Sequence, residues 1–242
     1  MERREYEILA QVEEEGWWFR GLRRNLIAAW RDAAPPSDRP RLLDAGCGAG
    51  GLLTALAQAA PNAQRFGIDL DPLAVSLAAE KSGAPVALTS IAALPFADAL
   101  DAIFSADVLS HRGVEPAAAL QSMADALKPG GVIVLNLPAY RWLLSGHDHA
   151  VDNVRRFGRA EVRALLAAAG FARIRVSYWN SILFPIMVLQ RLTHPGGASD
   201  VELMPRPVEC LFGAAVLLEA GLAKVGLRFP FGGSILATAV KS

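Results

Sequence analysis

Apolar positions along this chain follow two different periods, and the switches between them mark its elements. Short apolar runs rich in Leu, Ile and Val alternate with longer stretches whose apolar residues recur at three- and four-residue spacing. Arg41 to Ala45, Arg65 to Leu70, Pro85 to Leu88, Asp101 to Ala106 and Val132 to Leu137 read as strands. Between them the pattern predicts helices from Leu52 to Ala60, from Asp71-Pro72 onward, and from Glu115 to Leu127. Proline suits the first turn of the second of these, and Lys128-Pro129-Gly130-Gly131 breaks the third. Strands alternating with helices in this way predict a parallel sheet covered on both faces.

The two ends depart from this rhythm. Glu5 to Trp30 reads as one or two helices interrupted near Gly16, and Ala34 to Pro40 is a cluster of breakers. After the core come a helix from Arg159 to Ala169, a strand from Ala172 to Trp179, and a terminal strand from Gly233 to Val240. Residues 181–231 are too many for a plain loop in a compact domain. Within them, Ser181 to Leu192 and Val208 to Val225 read as helices. In the second, Val208, Leu211, Phe212, Ala215, Leu218 and Leu222 are expected to form one apolar face. The predicted organisation is a helical cap and linker (1–40), a core (41–180), a helical insertion (181–231) and a last core strand (232–242).

Composition narrows the function classes. Lys and Arg number 24 and Asp and Glu 24, so no basic excess points to nucleic acid. The start Met1-Glu2-Arg3-Arg4-Glu5 has no apolar run behind it, as a secretory signal would. No stretch reaches the roughly 18 apolar residues of a membrane-spanning helix. The two cysteines, Cys47 and Cys210, lie far apart, so a reducing, cytoplasmic location is expected rather than a disulfide framework. With 52% hydrophobic residues, apolar surface is available for a subunit interface or a greasy pocket besides the core.

The candidate chemistry begins at Asp44-Ala45-Gly46-Cys47-Gly48-Ala49-Gly50, between the first strand and its helix. Glycines there let the backbone turn tightly and approach a ligand. Gly46, Gly48 and Gly51 also satisfy the G-x-G-x-x-G pattern of dinucleotide sites, so glycine count alone leaves the cofactor open. Asp44 shifts the balance, because its carboxylate would repel a pyrophosphate and attract an ammonium group. Asp69, ending the second strand, can accept both ribose hydroxyls of either kind of cofactor.

Leu42 to Gly50, Gly67 to Pro72, Leu94 to His111 and Leu127 to Asn136, in this order, resemble class I S-adenosylmethionine-dependent methyltransferases. The resemblance implies an α/β, Rossmann-like, doubly wound seven-stranded sheet whose last strand is antiparallel. It implies S-adenosylmethionine as cofactor and S-adenosylhomocysteine as product. The positions it assigns to the cofactor are Asp44, Gly46, Cys47, Gly48, Gly50, Asp69, Leu70, Ser90, Ile91 and Ala106. Trp17 to Arg20, Pro138 to Tyr140, His147-Asp148, Arg155 to Phe157 and Tyr178 to Pro185 further resemble a bacterial subgroup acting in lipid, glycan and natural-product pathways. Three positions depart from the family pattern. Ser90 stands where Asp commonly contacts adenine, and Gly16 and Asn153 stand where the subgroup has His.

Methyl transfer from a sulfonium needs orientation and exclusion of water, and a base only where the acceptor must lose a proton. His147 is expected as base or substrate contact, with Asp148 orienting it or holding a cationic acceptor; the alternative is polar capping within a loop. His111, at the carboxyl edge of the fourth strand, is a second candidate, and His149 reads as solvated loop. No spacing among these residues matches a metal site, and none is assigned. Trp18, Tyr140, Trp142, Arg155, Phe184 and Met187 are expected around a small-molecule acceptor. For Trp18 the alternative is pinning the N-terminal helix to the core; for Arg155 and Arg156 it is an ion pair with Asp148, Asp152 or Glu161. The insertion is expected to be a lid over a partly hydrophobic acceptor, with a homodimer contact and a membrane-surface element as rivals. Two other classes stay open: a nicotinamide-dependent oxidoreductase and a methyltransferase-like binding protein without catalysis.

Overall fold

The computed structural model describes residues 12–146, 148, 152–193 and 204–242. Its elements in chain order are α1 (Trp17–Ala33), β1 (Arg41–Ala45), α2 (Gly51–Ala59), β2 (Gln64–Asp69), α3 (Pro72–Ser82) and β3 (Val86–Leu88). There follow β4 (Leu100–Ala106), α4 (Pro116–Ala126), β5 (Leu127–Pro138), α5 (Arg159–Ala168) and β6 (Phe171–Trp179). The chain ends with α6 (Phe184–Thr193), α7 (Arg206–Lys224) and β7 (Ser234–Lys241).

The seven strands form one sheet in the order β3-β2-β1-β4-β5-β7-β6. β1 pairs in parallel with β2 and β4, while β7 runs antiparallel between β5 and β6. The chain starts in the middle at β1, winds outward to β3, and returns to β4. This reversal between β1 and β4 splays the connections apart and leaves a crevice outside the carboxyl ends of the strands, where ligands bind in such sheets.

Strand alternation divides the core into two layers. Leu42 packs with Leu22, Leu26, Trp30 and Leu56 on one face, and its neighbour Leu43 with Leu120, Met123 and Leu166 on the other. In α1 the buried residues Leu22, Leu26 and Trp30 recur every four positions, a stripe that lies on the sheet. Asp71 caps α3 through Leu73 and Ala74, as the Asp-Pro start predicts.

Two expectations give way. β5 starts at Leu127 rather than Val132, because Leu127 pairs with Leu100 ahead of a register shift in β4. The second concerns α7, which packs its inner face on α1 with Phe212, Val216 and Glu219 inward. Leu211 and Leu218, expected inside, are 66% and 58% exposed. Buried Glu219 explains the rotation, since its Oε2 accepts from the N–H groups of Ser181 (2.6 Å) and Ile182 (3.1 Å). Glu209 likewise takes the N–H of Trp17 at 2.7 Å, at the open start of α1. Two carboxylates thus displace two leucines, because a helix start left with unpaired N–H groups costs more than an exposed leucine.

Candidate cofactor and acceptor site

The glycine loop crosses the crevice between β1 and β4. Gly46 and Gly50 have φ of 87° and 83°, a region that side chains disfavour. A Cβ on Gly46 would lie 2.2 Å from Val108 Cγ2, and one on Gly50 2.8 Å from Ala78 Cα. The loop is therefore pressed against α3 on one side and the turn after β4 on the other. Asp69 holds it in place: Oδ2 accepts from Gly48 N at 2.9 Å and Oδ1 from Asp71 N at 3.0 Å. A carboxylate has about four acceptor positions, so each oxygen retains a lone pair for a hydroxyl.

Three carboxyls, of Asp44, Asp69 and Glu13, gather beside this loop, with Arg23 and Lys81 acting on Glu13. Asp44 is 2% exposed, and its Oδ2 finds no partner among the described residues. Burial, with Glu13 and Asp69 close by, pushes its carboxyl well above the usual range. Burial likewise raises Glu13 to about 7, against the pull of Lys81, Arg23 and the Ala49 N–H. Three carboxyls facing one crevice accommodate a cation and disfavour a pyrophosphate, so the residues fit an ammonium-bearing cofactor. Cys47 is buried under the loop, where burial and Asp44 push its thiol up.

Along the β2 edge, Leu70 is 64% exposed, an apolar side chain left uncovered at the end of its strand. The Ser90 hydroxyl accepts from Ala92 N at 3.2 Å, which fixes the turn, and buried Ile91 joins the core. Ala106, the last residue of β4, is half-buried at the crevice.

On the acceptor side the three strand ends share a backbone feature. Asp107, Tyr140 and Asn180 follow β4, β5 and β6 with φ of 59°, 62° and 58°. Non-glycine residues in this region are strained, and such strain concentrates at functional sites. Asp107 is half-buried, and both its oxygens lie 3.0 Å from Asn136 Nδ2. Trp179 Nε1 in turn donates to Asn136 Oδ1 at 2.7 Å, so the amide cannot turn over. Burial lifts Asp107 to about 7, with Asn136 and Arg156 holding it down and Asp148 pushing it up. Trp18 stacks on Trp179 at 5.9 Å, a contact that suits the pinning alternative.

Asp148 takes the alternatives of loop capping and an ion pair with Arg156. Its Oδ1 accepts from Arg156 Nε and Nη2 (3.0 and 2.7 Å), and its Oδ2 from Arg191 Nη1 (2.7 Å) and Ser145 N (2.9 Å). Burial pushes this carboxyl up, but the two arginines outweigh it and hold it below the usual range. A carboxylate bonded in this way braces the loop and has no capacity left for a cationic acceptor. His147 and His149 lie outside the described residues. His111 is bridged to Asn153, whose Oδ1 accepts from Ser110 Oγ at 2.6 Å, and burial lowers the imidazole against the pull of Asp152 and Asp69. Arg156 sits in the ion pair, whereas half-buried Arg155 has no ion pair among the described residues.

Aromatic rings gather above β5 and β6. Tyr140 stacks on Tyr178 at 5.2 Å and touches Phe184 at 5.4 Å and Trp142 at 5.8 Å. Phe184 continues to Phe231 at 5.6 Å, and half-buried Met187 lies over Gly233. Trp142 is 61% exposed at the rim. Sequence reasoning missed Glu13, Asp107 and Asn136. Asp107 carried a usable signal, an acid directly after a buried strand at the carboxyl edge; Glu13 carried none, since only packing of the N-terminal segment brings it to the loop.

A sheet of this order with a glycine loop and acidic crevice at its reversal point is the class I methyltransferase fold. Residues 43–135 match the model of a family described as a methyltransferase domain. An uncharacterized methyltransferase of Mycobacterium leprae is 30% identical over 180 residues, covering 70% of this chain and 64% of that protein. The chain thus spans less than two thirds of that relative. Among solved structures, a Haloferax volcanii complex of a methyltransferase activator with a methyltransferase aligns with a TM-score of 0.62 at 20% identity, over 95% of this chain and 92% of that one. A phosphoethanolamine N-methyltransferase of Haemonchus contortus with bound S-adenosylmethionine gives 0.61 at 18% identity, over 90% and 52%. Among the described residues no group of His, Cys, Asp and Glu is arranged to hold a metal, and no helix is long and apolar enough to cross a membrane.

Proposed function

We propose that this protein transfers the methyl group of S-adenosylmethionine to a small, partly hydrophobic acceptor. The observation that carries this reading is the buried, unpartnered Oδ2 of Asp44, set among Asp69 and Glu13 beside the glycine loop. Left alone such a group stays protonated, and a cationic partner lets it ionise. The ammonium of the cofactor's amino-acid end is such a partner, and a dinucleotide offers none there. Asp69 would then receive the ribose hydroxyls, Leu70 and Ile91 would flank the adenine, and Ser90 would replace the usual carboxylate at its amino group.

When bound, the cofactor supplies an activated methyl on a sulfonium. The chain contributes position and dryness. Tyr140, Phe184 and Met187 supply an apolar floor that orients an acceptor, and Arg155 offers a cation to an acidic group on it. Helix α6, which carries Phe184 and Met187, is fastened by Arg191 to Asp148 and to the carbonyl of Leu143. Calorimetric titration with S-adenosylhomocysteine and with NAD tests the reading. Binding of the first and not the second is expected; the reverse overturns it.

A further inference from the structure

We propose that Asp107 is the catalytic base of this site, accepting the proton of an O–H or N–H acceptor, and that Asn136 and Trp179 position it. The inference rests on the methyltransferase reading and deepens it. Asp107 stands at the reversal point of the sheet, one residue past β4 and next to Val108, against which the glycine loop packs. Its left-handed backbone turns it out of the strand line. The Asn136 amide holds both oxygens from the β5 side, and the indole N–H of Trp179 holds that amide from β6. A carboxylate clamped from one side by a single neutral donor keeps lone pairs for a proton arriving from the other side. The groups bearing on its charge are Arg156 and Asp148 in the loop after β5. His111 ends the same turn, with Asp152 and Asp69 bearing on its imidazole. A carboxyl poised near neutral pH suits a general base.

The step balances. The acceptor's lone pair forms a bond to the methyl carbon as its proton passes to Asp107, and the carbon–sulfur bond breaks with its electron pair on sulfur. The sulfonium becomes a neutral thioether, and Asp107 returns its proton to water after product leaves. Asp148, committed to two arginines, cannot do this.

The test uses sinefungin, the cofactor analogue in which an amine-bearing carbon replaces the methylated sulfur. Its ammonium occupies the place of the transferred methyl, so a base on the acceptor side contacts it. By calorimetry at pH 8, Asp107→Asn is expected to weaken sinefungin by about tenfold or more relative to S-adenosylhomocysteine, as for a lost charged hydrogen bond. Asparagine tolerates the left-handed backbone, so the fold is retained. In the wild type the ratio of sinefungin to S-adenosylhomocysteine affinity is expected to rise from pH 6 to pH 8, and in the variant to stay flat. Carbon-13 NMR of the aspartate carboxyls gives a second measurement: one resonance titrating near neutrality, shifting with sinefungin and missing from Asp107→Asn supports the assignment, which separates it from Asp44. An unchanged affinity ratio in Asp107→Asn, or no aspartate titrating between pH 6 and 8, overturns it. If the wild type binds neither ligand, the methyltransferase reading falls and the role of Asp107 with it.

Discussion

Arg191, on helix α6, donates to Asp148 Oδ2 at 2.7 Å, while Arg156 holds the other oxygen of the same carboxylate at 2.7 Å. One buried acid thereby joins the loop after β5 to the helix over the aromatic cluster. Removing Arg156 leaves a buried charge half compensated, and breaking such a pair costs about 3–5 kcal/mol. Arg156→Met is expected to lose stability of that order in urea unfolding. Arg191→Met should lose less, because Arg156 remains, but should raise hydrogen exchange across residues 184–193. Unchanged exchange across these residues in Arg191→Met would contradict a fastening role for Arg191.

Asp69 ties the glycine loop to β2 and faces the crevice. Asp69→Ala is expected to weaken S-adenosylhomocysteine binding by about 2–3 kcal/mol, as for lost charged hydrogen bonds. Circular dichroism should show the fold intact. Ser90→Asp restores the carboxylate common in the family and should bind as tightly or more tightly; a clear loss would place the adenine elsewhere.

The unliganded protein should lose stability as pH rises through neutrality. Glu13 and Asp107 each sit at about 7 because burial penalises their charged forms. For acids raised in the fold, the native state binds more protons than the unfolded chain between about 4 and 7. The stability they contribute is therefore present at low pH and lost as pH climbs through the folded value. His111, lowered by burial, acts oppositely below about 6.5. The window from pH 6.5 to 8 therefore isolates the acids. There the melting temperature should fall, and Glu13→Gln should flatten the slope. A melting temperature that rises across this window in the wild type would refute the acidic crevice.

Phe184 and Met187 lie where α6 meets the aromatic floor, whereas Ile186 and Leu189 point outward. Met187→Glu is expected to abolish turnover of an apolar acceptor while leaving S-adenosylhomocysteine affinity and the mass by light scattering unchanged. A dimer split by this change would make the insertion a subunit contact and remove the lid.

Much of the fold is legible without coordinates because its signals are local. Leu42 and Leu43 read as a buried strand, Asp71-Pro72 as a helix start, and the Asp44 to Gly50 stretch as a ligand loop, each from neighbours within a few residues. Period, capping and turn chemistry act over that range. The acidic approach to the loop was readable for the same reason, since Asp44 adjoins the glycines. What the tertiary structure alone decided lies between distant positions. Asp107 gains its character from Asn136 and Trp179, and Asp148 loses its candidacy to Arg156 and Arg191. Helix α7 turns its leucines outward because Glu219 meets two N–H groups 37 and 38 residues back in the chain. Hydrophobic periodicity places a helix against whatever it covers. It does not register that a buried backbone group elsewhere needs an acceptor, and that need settles which side of α7 faces inward.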